Sequence, residues 1–169
     1  KIPGLFLLTA PARPHGRPVT EIQMADLLRE VRRRFDFCLL DAPEALGRGF
    51  QLATCAADRC VVVTTADASS LRDAQHTVME LDRFPSGALH LVVNRVRKKL
   101  LRQLHATIDD AIDKAGLPLL GVVPEDDALP LCMNRGVPIL LADGQSAATA
   151  YRNIAKRLQG ERVPLLRIR

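Results

Sequence analysis

Phe37-Cys38-Leu39-Leu40-Asp41-Ala42-Pro43-Glu44 is the stretch on which the reading of the fold turns. Four apolar residues run without alternation into an aspartate and then a proline. Such a run suits a strand buried on both faces, as in a parallel sheet. Asp41 then falls at the C-terminal end of the strand, the edge at which open α/β sheets bind ligands. Pro43 stops the strand, and Gly47 and Gly49 let the backbone turn closely. An apolar strand ending in aspartate is a layout in which the carboxylate holds Mg²⁺, directly or through water. It equally describes a strand-end aspartate capping a turn, and the octapeptide alone favours that plainer alternative.

The 169 residues suffice for one domain with a real core. Aromatic residues make up 4% and tryptophan is absent, so Leu, Val, Ile and Ala must build that core. The net charge of +5 is compatible with a nucleotide, a nucleic acid or an anionic membrane surface, and equally with solubility alone. Cys38, Cys55, Cys60 and Cys132 lack zinc-ligand or redox spacing and suit a reducing compartment. No apolar run approaches the length of a transmembrane helix. The chain opens on Lys1 rather than Met, shortly before an apolar stretch at residues 5–8, and is expected to be an excerpt of a longer protein.

Taken in order, residues 5–8 read as a first strand and residues 10–18, rich in proline, as a surface loop. Thr20 with Gln23 forms a capping-box pattern, and Met24, Leu27, Leu28, Val31 and Phe35 recur at helical spacing. Arg29, Arg32, Arg33 and Arg34 sit at that helix's end, where cations complement the dipole. After the Asp41 strand, residues 50–57 read as a short helix and residues 59–65 (RCVVVTT) as a buried strand. Ser69 or Ser70 is expected to cap the next helix, which buries Leu71, Ala74, Val78 and Leu81. Residues 89–94 (LHLVVN) form another buried strand, and a helix is expected from about Lys99 to Ala115, stopped by Gly116. Residues 119–123 (LLGVV) are the following strand. A short helix running to Gly136, a brief edge strand at residues 138–141 and a helix over residues 146–158 complete the chain. Alternating strands and helices with short links predict an α/β fold with a predominantly parallel sheet covered on both faces.

Three of these strands end in polar groups: Asp41, then Asn94-Arg95, then Pro124-Glu125-Asp126. An aspartate for Mg²⁺, an amide that pairs with a base edge and a proline loop beside the base would together bind a nucleotide. Asparagine both donates and accepts, which suits adenine. Each piece has a plain alternative: a turn cap at Asn94, a solvated Arg95, an acidic helix start at residues 124–126. Three in order along one edge tip the balance.

The chain resembles the MinD branch of the MinD/ParA deviant Walker A ATPases. The resemblance rests on Leu39-Leu40-Asp41-Ala42-Pro43, Ala57-Asp58, Val62-Val63-Thr64-Thr65, Ser69-Ser70-Leu71-Arg72-Asp73-Ala74, Leu91-Val92-Val93-Asn94-Arg95-Val96, Leu120-Gly121-Val122-Val123-Pro124-Glu125-Asp126, Asn134-Arg135-Gly136-Val137-Pro138 and Ala150-Tyr151-Arg152-Asn153-Ile154-Ala155. These pieces follow the family order over nearly the whole chain. The resemblance implies a P-loop NTPase-like fold of the SIMIBI type, of which residues 1–169 are the C-terminal two-thirds of a single domain. It implies a Mg-ATP-dependent switch (ATP/ADP and Mg²⁺ as cofactors) that dimerises around nucleotide and takes part in division-site placement. Asp41 would serve Mg²⁺ and catalysis. Asn94 and Arg95 would contact the nucleotide, with Pro124, Glu125 and Asp126 beside the base. Ser69, Ser70, Arg72 and Asp73 would lie on the dimer and regulator surface. The implied partners are MinC-like and MinE-like regulators, with cycling between the cytoplasm and the inner face of the cell membrane.

Two departures from the family qualify this. G-x-x-x-x-G-K-[ST] has no match, and no glycine of the chain is followed by lysine. ATP hydrolysis is therefore expected of the full-length family member and not of these residues alone. The switch segment, usually D-x-P-A-G, reads Asp41-Ala42-Pro43-Glu44-Ala45, so Ala45 replaces a glycine and Glu44 adds negative charge. A ParA-like partition ATPase is the first alternative, with Arg97, Lys98, Lys99 and Arg102 as a nucleic-acid patch, and a pseudo-ATPase partner-binding module the second. A membrane helix after Arg169 would favour the MinD branch. In the family the phosphate-loop strand lies between those matching residues 37–41 and 59–65, so the sheet of these residues is expected to contain gaps.

Overall fold

The computed structural model describes residues 2–9, 18–43, 46–103, 107–142 and 146–166. Its elements run α1 (Glu21–Arg32), α2 (Arg48–Thr54), β1 (Cys60–Thr64), α3 (Ala68–Glu80), β2 (Leu89–Val96), α4 (Lys98–Gln103), α5 (Ile108–Ala115), β3 (Leu119–Pro124), α6 (Ala128–Asn134), a 3-10 turn (Ile139–Leu141) and α7 (Ser146–Leu158). The chain divides into two compact units, Lys1–Ala57 and Asp58–Arg169.

The second unit carries the sheet. β1, β2 and β3 lie side by side in that order, all parallel, so their C-terminal ends share one edge. This is the α/β architecture that the alternating pattern predicts. α3 and α5 pack on each other and on β1 and β2, while α7 packs on β3. Val92, Leu120, Val123, Ile139, Ala147, Ala148 and Ala150 form one core cluster with α7. Alternation along β2 sends Leu91 and Val93 to the other face, and both are fully buried. Gly121 is where α7 comes closest: a Cβ there would meet the side chain of Ile154 inside van der Waals distance.

The register between β2 and β3 is not uniform. Leu91 faces Leu119, yet Val92 faces Gly121, so β3 carries one extra residue at Leu120. Val93 faces Val122, yet Val96 faces Pro124, so β2 carries one extra residue across Asn94-Arg95. Bulges of this kind bend a strand locally and re-aim its side chains.

Several expectations need correction. β1 is buried on one side only: Val62 and Thr64 are covered, whereas Val63 is 60% exposed. The helix expected from Lys99 to Ala115 is two helices, because Thr107 and Asp110 make a capping box that starts α5 afresh. Gly116, at φ +66, closes α5 in the left-handed conformation. Residues 138–141 hold a 3-10 turn in place of an edge strand, its C-cap Ala142 N–H returning to Ile139. Asp67, not Ser69 or Ser70, caps α3 by accepting from the Ser70 N–H.

The first unit contains α1 and α2. The Thr20–Gln23 capping box of α1 is formed as expected. Of the apolar stripe only Leu28 is buried, and Leu27 and Phe35 stay exposed. α2 begins two residues before the expected Phe50. Neither residues 5–8 nor residues 37–40 form a strand. Leu7 is 88% and Leu39 90% exposed. A β-strand exists only through the ladder it makes, and among the described residues these segments have no strand beside them. Residues 37–40 are a stretch expected to flank a gap in the sheet. Glu44, Ala45, Leu104, Arg167, Ile168 and most of the loop at residues 10–18 lie outside the described residues.

Candidate functional site

The shared C-terminal edge of β1, β2 and β3 brings three polar groups into one unit. At the end of β1, Asp67 accepts hydrogen bonds from the Ser70 N–H at 3.0 Å, from Ser70 Oγ at 3.0 Å and from Thr65 Oγ1. Thr65 Oγ1 and Ser70 Oγ are themselves 2.8 Å apart. The Thr65 hydroxyl first, then the Ser70 N–H, pull the Asp67 pKa down to about 2. This network ties the β1 end to the first turn of α3, and it consumes the Ser70 hydroxyl expected to face a partner. Ser69, Arg72 and Asp73 remain exposed on α3.

At the end of β2, Asn94 is half-buried and its amide makes no hydrogen bond among the described residues. Arg95 follows with φ +53, the left-handed region that a residue with a side chain rarely occupies. Its guanidinium forks onto Glu125 of the neighbouring loop, Nε to Oε2 at 3.1 Å and Nη2 to Oε1 at 3.3 Å. Arg97 Nη2 donates to the same Oε1 at 3.3 Å. The Arg95 hydrogen bond is the main reason the Glu125 carboxyl titrates below its usual range, and the same bond raises Arg95. Arg97 is the site residue that the sequence reading assigned elsewhere, to a nucleic-acid patch. It stands two residues beyond Arg95, in the link between β2 and α4, and that nearness along the chain is the signal that could have found it.

At the end of β3, Pro124 is buried and Glu125 N–H donates to Val96 O at 3.0 Å. Asp126 accepts from Ala147 N–H at 3.1 Å, Ser146 Oγ at 3.2 Å and Ala128 N–H at 3.1 Å. The Ala147 bond contributes most to holding its carboxyl below the usual range. Asp126 therefore satisfies orphan donors in the first turns of α6 and α7; the first is the acidic helix start weighed from the sequence, and the second was hidden because Ser146 is twenty residues away.

Asp41 lies in the first unit, exposed, after the unpaired segment 37–40. The buried strand that would have presented it is not formed. No group of three or more metal-binding side chains occurs among the described residues. Asp41 offers a single carboxylate, and no lysine-bearing phosphate loop occurs in the 169 residues. At the edge of β2 and β3 the Asn94 amide is the open polar group among the described site residues. The residues present do not fit a triphosphate with its metal.

A parallel sheet with helices packed on it and polar groups at its carboxyl edge is the α/β architecture shared by the P-loop ATPases. The chain belongs to the family described as "Cellulose biosynthesis protein BcsQ", a ParA/MinD-like family whose model matches residues 13–158. The septum site-determining protein MinD of Bacillus subtilis is 34% identical over 163 residues, covering 95% of this chain and 61% of that protein. In the solved MinC:MinD cell division protein complex of Aquifex aeolicus, a chain matches with TM-score 0.82 and 28% identity, over 89% of this chain and 63% of that one. The septum site-determining protein MinD of Pyrococcus horikoshii, complexed with Mg-ADP, has the same fold: TM-score 0.69 and 23% identity, over 82% of this chain and 56% of that one. The chain thus spans somewhat less than two-thirds of each of these relatives. No helix among the described residues is long and apolar enough to cross a membrane.

Proposed function

We propose that these residues are the base-binding part of a MinD-like, ATP-dependent switch that dimerises with nucleotide and acts in division-site placement. The observation that carries this reading is Asn94, an unengaged amide on a bulge at the carboxyl edge of a parallel sheet. Asn94 reads adenine, and the loop of Pro124, Glu125 and Asp126 flanks the base beside it, with Arg95 at its rim. Asp41 would serve Mg²⁺, through water, only in a longer chain whose phosphate-binding loop brings a phosphate group to share the ion. When bound, that ion would supply charge neutralisation to the phosphates. Ser69, Arg72 and Asp73 on α3, with Ser70 at its start, form the surface for a second copy and for MinC-like and MinE-like regulators. Contact with the inner face of the membrane would need an amphipathic helix beyond Arg169.

A direct test follows the side-chain amide of Asn94 by NMR during titration with adenosine and, separately, guanosine. Adenosine should shift that signal and guanosine should not. Asn94→Ala should weaken adenosine by about 1 kcal/mol, roughly fivefold, the worth of one hydrogen bond. Equal responses to the two nucleosides would reduce Asn94 to a turn residue.

A second reading is favoured by the description of the matching family model, which points to cellulose biosynthesis. The switch would then serve that machinery in place of the septum. Disruption of the gene separates the two readings. Misplaced septa support the first, and lost cellulose with normal septa supports the second.

A further inference from the structure

Arg95 is the one non-glycine with positive φ among the described residues, and it lies inside a strand. Left-handed bulge positions are normally given to glycine, which carries no Cβ penalty. An arginine there must be held by its surroundings. Two links across β2 and β3 hold it. The Arg95 guanidinium forks onto the Glu125 carboxylate, and one residue further on the Glu125 N–H bonds Val96 O at 3.0 Å. Glu125 thus grips the bulge from both sides, by side chain at Arg95 and by backbone at Val96. Arg97 adds a third contact to the same carboxylate. The exposed head of Arg95 turns its Nε and Nη2 donors onto Glu125, which gives the pair a role within the protein.

We propose that Glu125 is a positioning residue: by holding Arg95 in the left-handed conformation it sets the bulge that fixes where β2 presents Asn94. The placement of Asn94 rests on the reading of that residue as the base contact; the grip on the bulge does not. Plain surface ion pairs contribute little. This one is bidentate, and it acts on a backbone conformation that its owner does not adopt unaided.

The test uses three variants of the chain: Glu125→Ala, Arg95→Gly, and both together. The Cα and Cβ chemical shifts of Asn94 and residue 95 report the bulge without any ligand. The adenosine titration at Asn94 reports its consequence, and the β1–β2 amide signals confirm that the sheet is intact. Glu125→Ala should move the Asn94 and residue 95 shifts towards extended values and weaken adenosine severalfold. Arg95→Gly takes positive φ without help, so adding Glu125→Ala to it should change neither readout by more than about twofold. Such non-additivity is the mark of one residue acting through another. Unchanged shifts at residues 94 and 95 in Glu125→Ala would overturn the proposal. So would a double variant impaired beyond Arg95→Gly by as much as Glu125→Ala is beyond the parent. If the bulge follows Glu125 while adenosine leaves Asn94 of the parent chain unmoved, the base reading falls and the grip on the bulge stands.

Discussion

Gly121→Ala tests the closest approach in the fold. An ideal Cβ at this position would stand 2.9 Å from Ile154 Cδ1, and nearer still to Ile154 Cγ1. Ordinary carbon contacts lie at about 3.5–4.0 Å, so β3 and α7 must part or Ile154 must leave its rotamer. Gly121 has no positive φ, and with free space the change to alanine would stabilise by about 0.4–1 kcal/mol through the unfolded chain. Overpacking reverses the sign and costs about 1–3 kcal/mol. At roughly 2–4 °C per kcal/mol for a chain of this size, the midpoint should fall by about 2–12 °C. Urea titration and thermal melts followed by circular dichroism measure this. Ile154→Ala removes both crowding atoms and leaves Ile154 Cβ at 3.8 Å. In that background Gly121→Ala should be close to neutral, giving a coupling of about 1–3 kcal/mol. A stabilised single variant, or additivity within about 0.5 kcal/mol, would refute the steric argument.

Three further outcomes are expected. Asp67 titrates near pH 2 when folded, below the unfolded value of about 3.9, so its contribution is present above about pH 4 and is lost as pH falls through about 2. Asp67→Asn keeps the cap, and its gap in melting temperature from the parent should close between about pH 5 and 2; a gap independent of pH would show that the carboxylate charge is idle. Asp126→Ala removes three accepted hydrogen bonds and should cost about 0.5–2 kcal/mol, with faster amide exchange at Ala128 and Ala147. Residues 5–8 and 37–40 should exchange their amide hydrogens rapidly while residues 91–93 are protected. A cooperative melt of the monomer with strong protection in both exposed segments would mean that they do pair.

What the sequence revealed follows from what each signal depends on. α3, α7 and β2 were legible because periodicity and burial are properties of the segment itself: Leu71, Ala74 and Leu81 fall on one helical face, and Leu91 to Val93 are covered from both sides. Phe37-Cys38-Leu39-Leu40 carries an equally good strand pattern, but pairing is a property of two segments, and only one is present in the ladder sense. The division between α4 and α5 hid inside a continuous apolar stripe, although Thr107 and Asp110 marked it locally. Of the site, Asn94 and residues 124–126 were found at the expected edge. The left-handed Arg95 was not, because nothing in an arginine announces positive φ. An acidic start to α6 was foreseen at residues 124–126, but the reach of Asp126 to α7 was hidden by the distance along the chain to Ser146.

The two bulges of the sheet act as compensating frameshifts. β3 gains a residue at Leu120 and β2 gains one across Asn94-Arg95, so the ladder between them runs one step out of phase and then returns. Leu91 with Leu119 and Val96 with Pro124 keep a common frame, and the pairs from Val92 to Val93 occupy the other. A one-residue deletion in either strand alone would carry the phase error to the end of the strand, turning every later side chain to the opposite face. A deletion of one residue from each would leave both ends in frame, straighten the middle and abolish the site's bulge. The length tolerance of these two strands is therefore coupled. An insertion or loss between residues 89 and 96 is readable only together with its counterpart between 119 and 124.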